Sequence, residues 1–109
     1  MIQSGMKYSK RDVIIINFPF SDLINSKKRP VLVLGEKEQD LIVCAITSNP
    51  NIKGIPIKNF EQGSLPLESQ IKYWQIHTIT KNIILNKRAK ITKETFNQVL
   101  IQITKLFSE

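Results

Sequence analysis

Apolar residues in the first half of the chain fall into short, dense runs separated by polar or turn-forming residues. The runs cover residues 12–18, 29–34 and 40–47, and β-branched side chains dominate them. Such runs, bounded by Pro, Gly and Asn, are typical of buried strands. Residues 35–39 should form a turn that is too short for a parallel crossover. The second and third runs are therefore predicted to pair as antiparallel strands.

The second half of the chain predicts further strands. Residues 55–57 indicate a short strand, and its Pro56 confines it to a sheet edge or a bulge. Residues 69–79 are also extended, but their apolar side chains do not alternate cleanly. Ile71 and Ile79 lie on one face and Trp74 and Ile76 on the other, so both faces should be covered. Residues 82–91 fit either a strand or a helix.

A C-terminal amphipathic helix is predicted after Thr92. That residue is a suitable N-cap. Glu94 follows in the first turn, where a negative charge interacts favourably with the positive end of the helix dipole. Apolar residues then recur at helical spacing; they are Phe96, Val99, Leu100, Ile103, Leu106 and Phe107. The expected fold is mainly β, a small curved antiparallel sheet with one terminal helix.

Length and charge narrow the class of protein. The 109 residues suit a single domain, residues 1–109. A formal charge of +7 and a pI of about 9.7 favour nucleic acid or an acidic protein as partner, although charge also serves solubility. Cys44 is the single cysteine, which excludes an intrachain disulfide and fits a cytoplasmic location. No signal segment and no apolar run of membrane-spanning length is visible.

Candidate chemistry lies where two of the predicted strands meet. Arg29 begins the second run and Thr47 ends the third, so antiparallel pairing should bring them to the same sheet edge. A guanidinium grips a phosphodiester through paired N–H donors, and a hydroxyl can donate to a phosphate oxygen. Taken alone, Arg29 could be an ordinary surface arginine and Thr47 an ordinary residue at a strand end or turn. Together, behind Lys27 and Lys28, they indicate a nucleic-acid site, over which residues 20–28 could form a flap.

Five segments of the sequence together resemble the MazF/PemK family of toxins from type II toxin–antitoxin systems. They are residues 12–23, 27–34, 43–48, 63–66 and 70–72. The resemblance implies a small SH3-like antiparallel barrel of the MazF/CcdB type with a C-terminal amphipathic helix, usually working as a homodimer. It ties Arg29 and Thr47 to RNA cleavage. Lys72 stands where the family often has arginine, and Arg11 and Ala89 stand where it often has glycine.

The function expected from this resemblance is a metal-independent, sequence-selective endoribonuclease that acts on single-stranded RNA. Arg29 would stabilise charge that develops on the phosphate oxygens, and Thr47 would position or donate to the reacting groups. No cofactor or metal is expected, and an acidic antitoxin should bind the basic surface. Substrate contacts are predicted at Lys27, Lys28, Ser48, Gln70 and Lys72.

Two other functions fit the same scaffold. One is a non-enzymatic toxin that binds DNA gyrase; such toxins rely on a C-terminal Trp, whereas Trp74 here is internal. The other is an SH3-like module that binds nucleic acid without cutting it. His77, the single histidine, could serve as a general base. The resemblance does not imply that role, so it is left out of the predicted site.

Overall fold

The computed structural model describes residues 7–19 and 26–108, and within them the chain forms one antiparallel sheet and one α-helix. The strands run in the spatial order β4-β6-β3-β2-β1-β7-β5. Their bounds are β1 Asp12–Pro19, β2 Ser26–Lys37, β3 Asp40–Thr47, β4 Ile55–Pro56, β5 Phe60–Gly63, β6 Gln70–Thr80 and β7 Ile84–Ile91. A short 3-10 helix, Lys81–Ile83, precedes β7, and helix α1 spans Lys93–Leu106. The mainly β fold with a terminal helix is confirmed.

The central hairpin of β2 and β3 forms as an antiparallel pair, with Val31 opposite Ala45 and Lys37 opposite Asp40. The prediction of a turn over residues 35–39 was wrong, because β2 continues to Lys37. Only Glu38 and Gln39 connect the strands, and Glu38 has a positive φ of 58°. A register shift between Val33 and Gly35 leaves Leu34 as the extra residue of a bulge, and Gly35 stays in the strand opposite Ile42.

The ambiguous segment 82–91 is mostly strand β7, which pairs with β1. Strand β4 lies at a sheet edge, as its proline indicates. Strand β5 was not predicted; it is short, with Phe60 as its one large apolar side chain, and it pairs with the distant β7.

Strand β6 explains why the apolar positions of residues 69–79 alternate imperfectly. Cys44 lies opposite Ile76 but the next residue, Ala45, lies opposite Lys72, so residues 73–75 have no partner in β3. This bulge changes which side of the sheet the later side chains face. The expectation that both faces are covered was wrong for this chain alone, because Trp74 is 41% exposed and Ile76 37% exposed.

Buried side chains occupy both sides of the sheet. Val13, Leu32, Cys44 and Ile71 belong to a core that includes Phe96 and Val99 of α1, and we call this the helix side. The opposite side, called the second side, has its own core of Ile14, Ile16, Val31, Val33, Leu41, Val43 and Ile79. Neighbouring residues of β1, β2 and β3 alternate between the two cores, as period-2 strands require. Burial raises the pKa of the Cys44 thiol to about 12, so this residue is a packing group.

The N-terminus of α1 has the predicted cap. Thr92 has extended backbone angles, and its side-chain oxygen accepts a hydrogen bond from the Thr95 amide at 3.2 Å. Glu94 lies in the first turn. The Thr92 oxygen satisfies one of the first helical amides, and the Glu94 carboxylate interacts favourably with the positive end of the helix dipole.

Candidate nucleic-acid interface

Arg29 and Thr47 lie at the same edge of the sheet. The register that sets Val31 opposite Ala45, continued by two residues toward the strand ends, sets Arg29 opposite Thr47. Both residues line two adjoining cavities of about 390 and 300 Å³. Arg29 is exposed and Thr47 half-buried. The guanidinium and the hydroxyl can therefore reach one bound group from neighbouring strands.

The larger of these two cavities, called the strand-end groove, lies on the second side of the sheet. Besides Arg29 and Thr47, its polar lining residues are Lys72, Gln75 and His77. Lys72 lies opposite Ala45, on the same side as Thr47, and Gln75 belongs to the unpaired bulge of β6. The groove thus combines two cations, an amide and an imidazole around one hydroxyl.

His77 belongs to this groove although it was not included in the predicted site. Its ring contacts that of Phe18, with centroids 5.1 Å apart, and Phe18 also lines the groove. An imidazole in such a groove can take a proton from a hydroxyl group. Sequence spacing could not place His77 here, because its position depends on the register after the β6 bulge.

The smaller cavity, called the basic cleft, reaches the helix side of the same edge. Its cations are Lys27, Lys28, Arg29 and Arg88, and Ser48 and Ser69 add hydroxyl groups. The loop Leu65-Pro66-Leu67 forms an apolar wall. No carboxylate lines the cleft among the residues that the structure describes. Arg88 was not predicted as a site residue. It lies in residues 82–91, whose sequence fits either a strand or a helix.

The Thr47 hydroxyl has a defined orientation. Its oxygen accepts a hydrogen bond from the Asn49 amide at 3.1 Å, and the Asn49 side chain accepts one from the Asn51 amide at 2.9 Å. These bonds shape the loop that follows β3. The O–H of Thr47 can donate to a ligand, and its oxygen keeps a second lone pair that can accept.

Gln70 lies opposite Thr47 but is partly committed to the fold. Its Oε1 accepts a hydrogen bond from the Gly54 amide at 2.8 Å. A Cβ at Gly54 would lie 2.2 Å from the carbonyl oxygen of Ile71, so only glycine allows this approach. Gln70 and Ser48 line a third cavity of about 630 Å³ beside the basic cleft. The NH₂ group of Gln70 can donate to a substrate, and its Oε1 keeps a second lone pair that can accept.

The predicted catalytic and substrate-binding residues are divided between the two sides of the edge. Arg29 and Lys72 belong to the strand-end groove, whereas Lys27, Lys28 and Ser48 line the basic cleft, which Arg29 and Thr47 also join. Residues 20–25 of the predicted flap lie outside the described residues. Its last residues, including Lys27 and Lys28, belong to strand β2. Within the described ranges, no group of three or more His, Cys, Asp or Glu side chains is arranged to hold a metal ion.

Comparisons with known proteins identify the family. The family model of PemK-like, MazF-like toxins of type II toxin-antitoxin systems matches residues 9–107. The chain belongs to this toxin family. A comparison with curated proteins gives no match.

Solved structures show that the toxin has a MazF-like fold, a curled seven-stranded antiparallel half-barrel with a C-terminal helix. The MazE-MazF complex from Deinococcus radiodurans has a TM-score of 0.75 and 12% identity over 94% of this chain and 96% of that chain. The Mycobacterium tuberculosis toxin MazF-mt6 has a TM-score of 0.66 and 17% identity over 89% and 96%. A mycobacterial endoribonuclease in complex with its cognate antitoxin has a TM-score of 0.65 and 10% identity over 94% and 100%.

One departure from the family pattern has a structural explanation in this toxin. Arg11, which replaces a frequent glycine, has a left-handed φ of 80°, a conformation that glycine adopts without cost. Its guanidinium contacts Glu61 at 2.6 Å and donates to the Ile91 carbonyl at 3.0 Å. The family glycine is thus explained by backbone conformation, and the arginine gains two contacts that glycine lacks.

No helix in the described part of the toxin combines the length and the apolar character needed to cross a membrane.

Proposed function

We propose that this toxin is a metal-independent, sequence-selective endoribonuclease that cleaves single-stranded RNA and that an acidic antitoxin holds inactive. The observation that carries the proposal is the position of Arg29 and Thr47, opposite each other at one sheet edge and lining the same two cavities. The mycobacterial structure of similar fold is an endoribonuclease bound to its antitoxin, which supports both the activity and the partner.

The reaction is a transesterification within the RNA chain. The ribose 2′-oxygen attacks the neighbouring phosphorus, its proton passes to a base, and the bond from phosphorus to the 5′-oxygen breaks. The leaving 5′-oxygen takes up a proton, which leaves a 2′,3′-cyclic phosphate and a 5′-hydroxyl. Negative charge grows on the nonbridging oxygens as the phosphorus becomes crowded. Stabilising that charge is the largest task that a protein without a metal must perform.

Arg29 and Thr47 are the catalytic residues in this proposal. The Arg29 guanidinium binds two phosphate oxygens and stabilises their growing charge, because its planar fork presents paired N–H donors. The Thr47 O–H donates to the same phosphate, while the Thr47 oxygen accepts from the Asn49 amide. Arginine holds its proton too firmly to be an effective acid, so its role is electrostatic.

The other predicted residues bind the substrate on either side of the reacting phosphate. Lys72 is a point charge in the strand-end groove, and Gln70 offers its NH₂ group beside Thr47. Lys27, Lys28 and Ser48 extend the contact into the basic cleft. We further propose that residues 1–109 form one domain that works as a cytoplasmic homodimer.

The decisive experiment mixes the purified toxin with a mixed-sequence RNA in the presence of a chelator. We expect cleavage that leaves cyclic phosphate ends, and a loss of about 100-fold or more in Arg29→Ala, the range for removing one charge-stabilising donor. Lys105→Ala, an exposed cation in the last turn of α1, is the matched control and should cleave normally.

Three results would contradict the proposal. RNA that stays intact in every sequence context, although the toxin binds it, would favour a nucleic-acid-binding module. Full activity in Arg29→Ala would remove the assigned site. Loss of activity with chelator alone, restored by a metal, would require a different mechanism.

A further inference from the structure

We propose that the basic cleft is a second phosphate site, which holds the phosphate next to the scissile one, with Arg88 as the main ligand. This inference rests on the proposed function, because it places the flanking nucleotide of the same RNA. Arg88 contributes a guanidinium to a cleft of about 300 Å³ that Lys27 and Lys28 also line. Ser48 and Ser69 supply hydroxyl donors in the same space. These are the groups that bind phosphate oxygens in proteins.

The charge balance of the cleft supports an anionic ligand. Within residues 7–19 and 26–108, neither Lys27, Lys28 nor Arg88 forms an ion pair with a carboxylate. The neighbours of Arg88 in β7 behave differently, because Lys87 and Lys90 lie 3.4 and 3.1 Å from the Asp12 carboxylate. Cations that converge on one cleft without a carboxylate repel each other, and a bound phosphate relieves that repulsion.

The cleft adjoins the proposed catalytic position. The strand-end groove and the basic cleft share four lining residues, Arg29, Pro30, Ile46 and Thr47. A phosphate held by Arg29 and Thr47 therefore lies at the junction of the two spaces. The next phosphate of a strand that bends over the sheet edge enters the cleft, within reach of Arg88.

The apolar wall of the cleft, formed by the loop after β5, is held close to Arg88 by backbone pairing between β5 and β7. Gly63, at the end of β5, pairs with Ala89 of β7 and has a left-handed φ of 65°. A Cβ at Gly63 would lie 2.4 Å from the carbonyl oxygen of Arg88, so a larger residue would push the strands apart. The loop that begins there presents Leu67, which is 64% exposed. It gives the flanking nucleotide an apolar surface for its base.

This arrangement selects single-stranded RNA over a duplex. A phosphate at the junction of the two cavities, followed by one in the basic cleft, requires the backbone to bend over the sheet edge. A single strand bends in this way freely, whereas a duplex resists bending and keeps its bases stacked. An acidic peptide could also bind cations, but the adjacent catalytic phosphate position and the two hydroxyl groups favour RNA.

The test measures binding of a non-cleavable 2′-O-methyl oligonucleotide, which the toxin binds whether or not it cleaves RNA. We expect Arg88→Gln to weaken binding about tenfold and to reduce the slope of log Kd against log salt by about 0.7, the loss of one single-strand phosphate contact. Arg88→Lys keeps the charge but loses the fork and should lie between. Lys105→Gln, with the same loss of charge on α1, should bind as the wild type does.

A neutral methylphosphonate at each linkage flanking the scissile one locates the contact. At one of the two positions it should weaken wild-type binding as much as Arg88→Gln does, and it should have no further effect on that variant. On cleavable RNA, Arg88→Gln should raise KM about tenfold with kcat nearly unchanged, because the residue holds the chain away from the reacting atoms.

Several results would overturn the inference. Equal effects of Arg88→Gln and Lys105→Gln would show that binding depends only on the net charge of the protein and not on a contact at Arg88. Methylphosphonates that weaken Arg88→Gln as much as the wild type would place the contact elsewhere. Polyglutamate binding that depends on Arg88, with oligonucleotide binding unchanged, would make the cleft a peptide site. Arg88-dependent binding without cleavage would instead defeat the proposed function alone, and cleavage insensitive to Arg88 would defeat this inference alone.

Discussion

Two groups of basic side chains lie around strands β1 and β7. One group is paired with carboxylates, and the other lines a cleft without them. In the paired cluster, Lys87 and Lys90 reach the buried Asp12 carboxylate and Arg11 reaches Glu61. In the strand-end cluster, Lys27, Lys28, Arg29 and Arg88 converge on a cleft lined by no described carboxylate. Lys87 and Arg88 are sequence neighbours, yet they belong to different clusters. The two clusters differ in the position of nearby carboxylates and not in the number of basic side chains.

The paired cluster is organised around one buried carboxylate. Asp12 accepts a hydrogen bond from the Ser9 amide at 2.9 Å, and its other oxygen lies 3.1 Å from the Lys90 amine. A buried carboxylate needs such partners, because transfer from water costs several kcal/mol. The strand-end cations are exposed to water and have no such requirement. Stability should therefore depend on the first cluster and RNA cleavage on the second.

The largest expected effect that separates the clusters is on stability. Asp12→Ala should lower the free energy of unfolding by about 3 kcal/mol, because it leaves the Lys90 amine without its carboxylate partner and the Ser9 amide without its acceptor. Urea unfolding measures the change. The control Glu36→Ala breaks the exposed pair with Lys81 and should cost less than about 1 kcal/mol. Equal losses in both variants would remove the distinction between buried and exposed pairs.

The converse effect should appear at Thr47. Thr47→Val removes the O–H that donates to phosphate and the acceptor of the Asn49 amide, so RNA cleavage should fall about tenfold, one hydrogen bond to a charged group. Thr47→Ser keeps both functions and should retain most of the activity. Cleavage rates at saturating RNA, with urea unfolding alongside, separate the two roles. Normal cleavage by Thr47→Val would exclude the hydroxyl from the site.

The smallest expected effect concerns the exposed member of the paired cluster. The hydrogen bond from Arg11 lowers the pKa of Glu61 below its usual 4.5. The stability it contributes is present above pH 4.5 and is lost as the pH falls through the lowered value. Glu61→Gln should therefore make the acid decline of stability slightly shallower and leave cleavage at neutral pH unchanged. Unfolding measured between pH 7 and pH 3 tests this, and an unchanged acid profile would contradict it.

Sequence reasoning succeeded where structure depends on neighbours in the chain. The bounds of β3, the antiparallel hairpin with β2 and the Thr92 cap all follow from short connections and local chemistry. The juxtaposition of Arg29 and Thr47 follows from that hairpin. Strand β5 was missed because it has only four residues, with Phe60 as their one large apolar side chain, and pairs with β7, nearly thirty positions away.

The site residues that sequence reasoning missed depend on long-range register. Arg88 reaches the basic cleft only because β7 is a strand that pairs with β1. His77 and Gln75 reach the strand-end groove only after the bulge opposite Cys44 and Ala45. The imperfect alternation of residues 69–79 indicates an irregularity in β6 but not its register, and residues 82–91 fit both a strand and a helix. Such positions become visible when the sheet order is known.

The bulge in β6 gives this scaffold a place where change is tolerated. Residues 73–75 have no partners in β3, so adding or removing a residue there breaks no ladder hydrogen bond. The register on both flanks can stay the same while Gln75, at the groove wall, is replaced or displaced. Small length changes at this point can therefore reshape the groove wall while the sheet on both sides of the bulge persists.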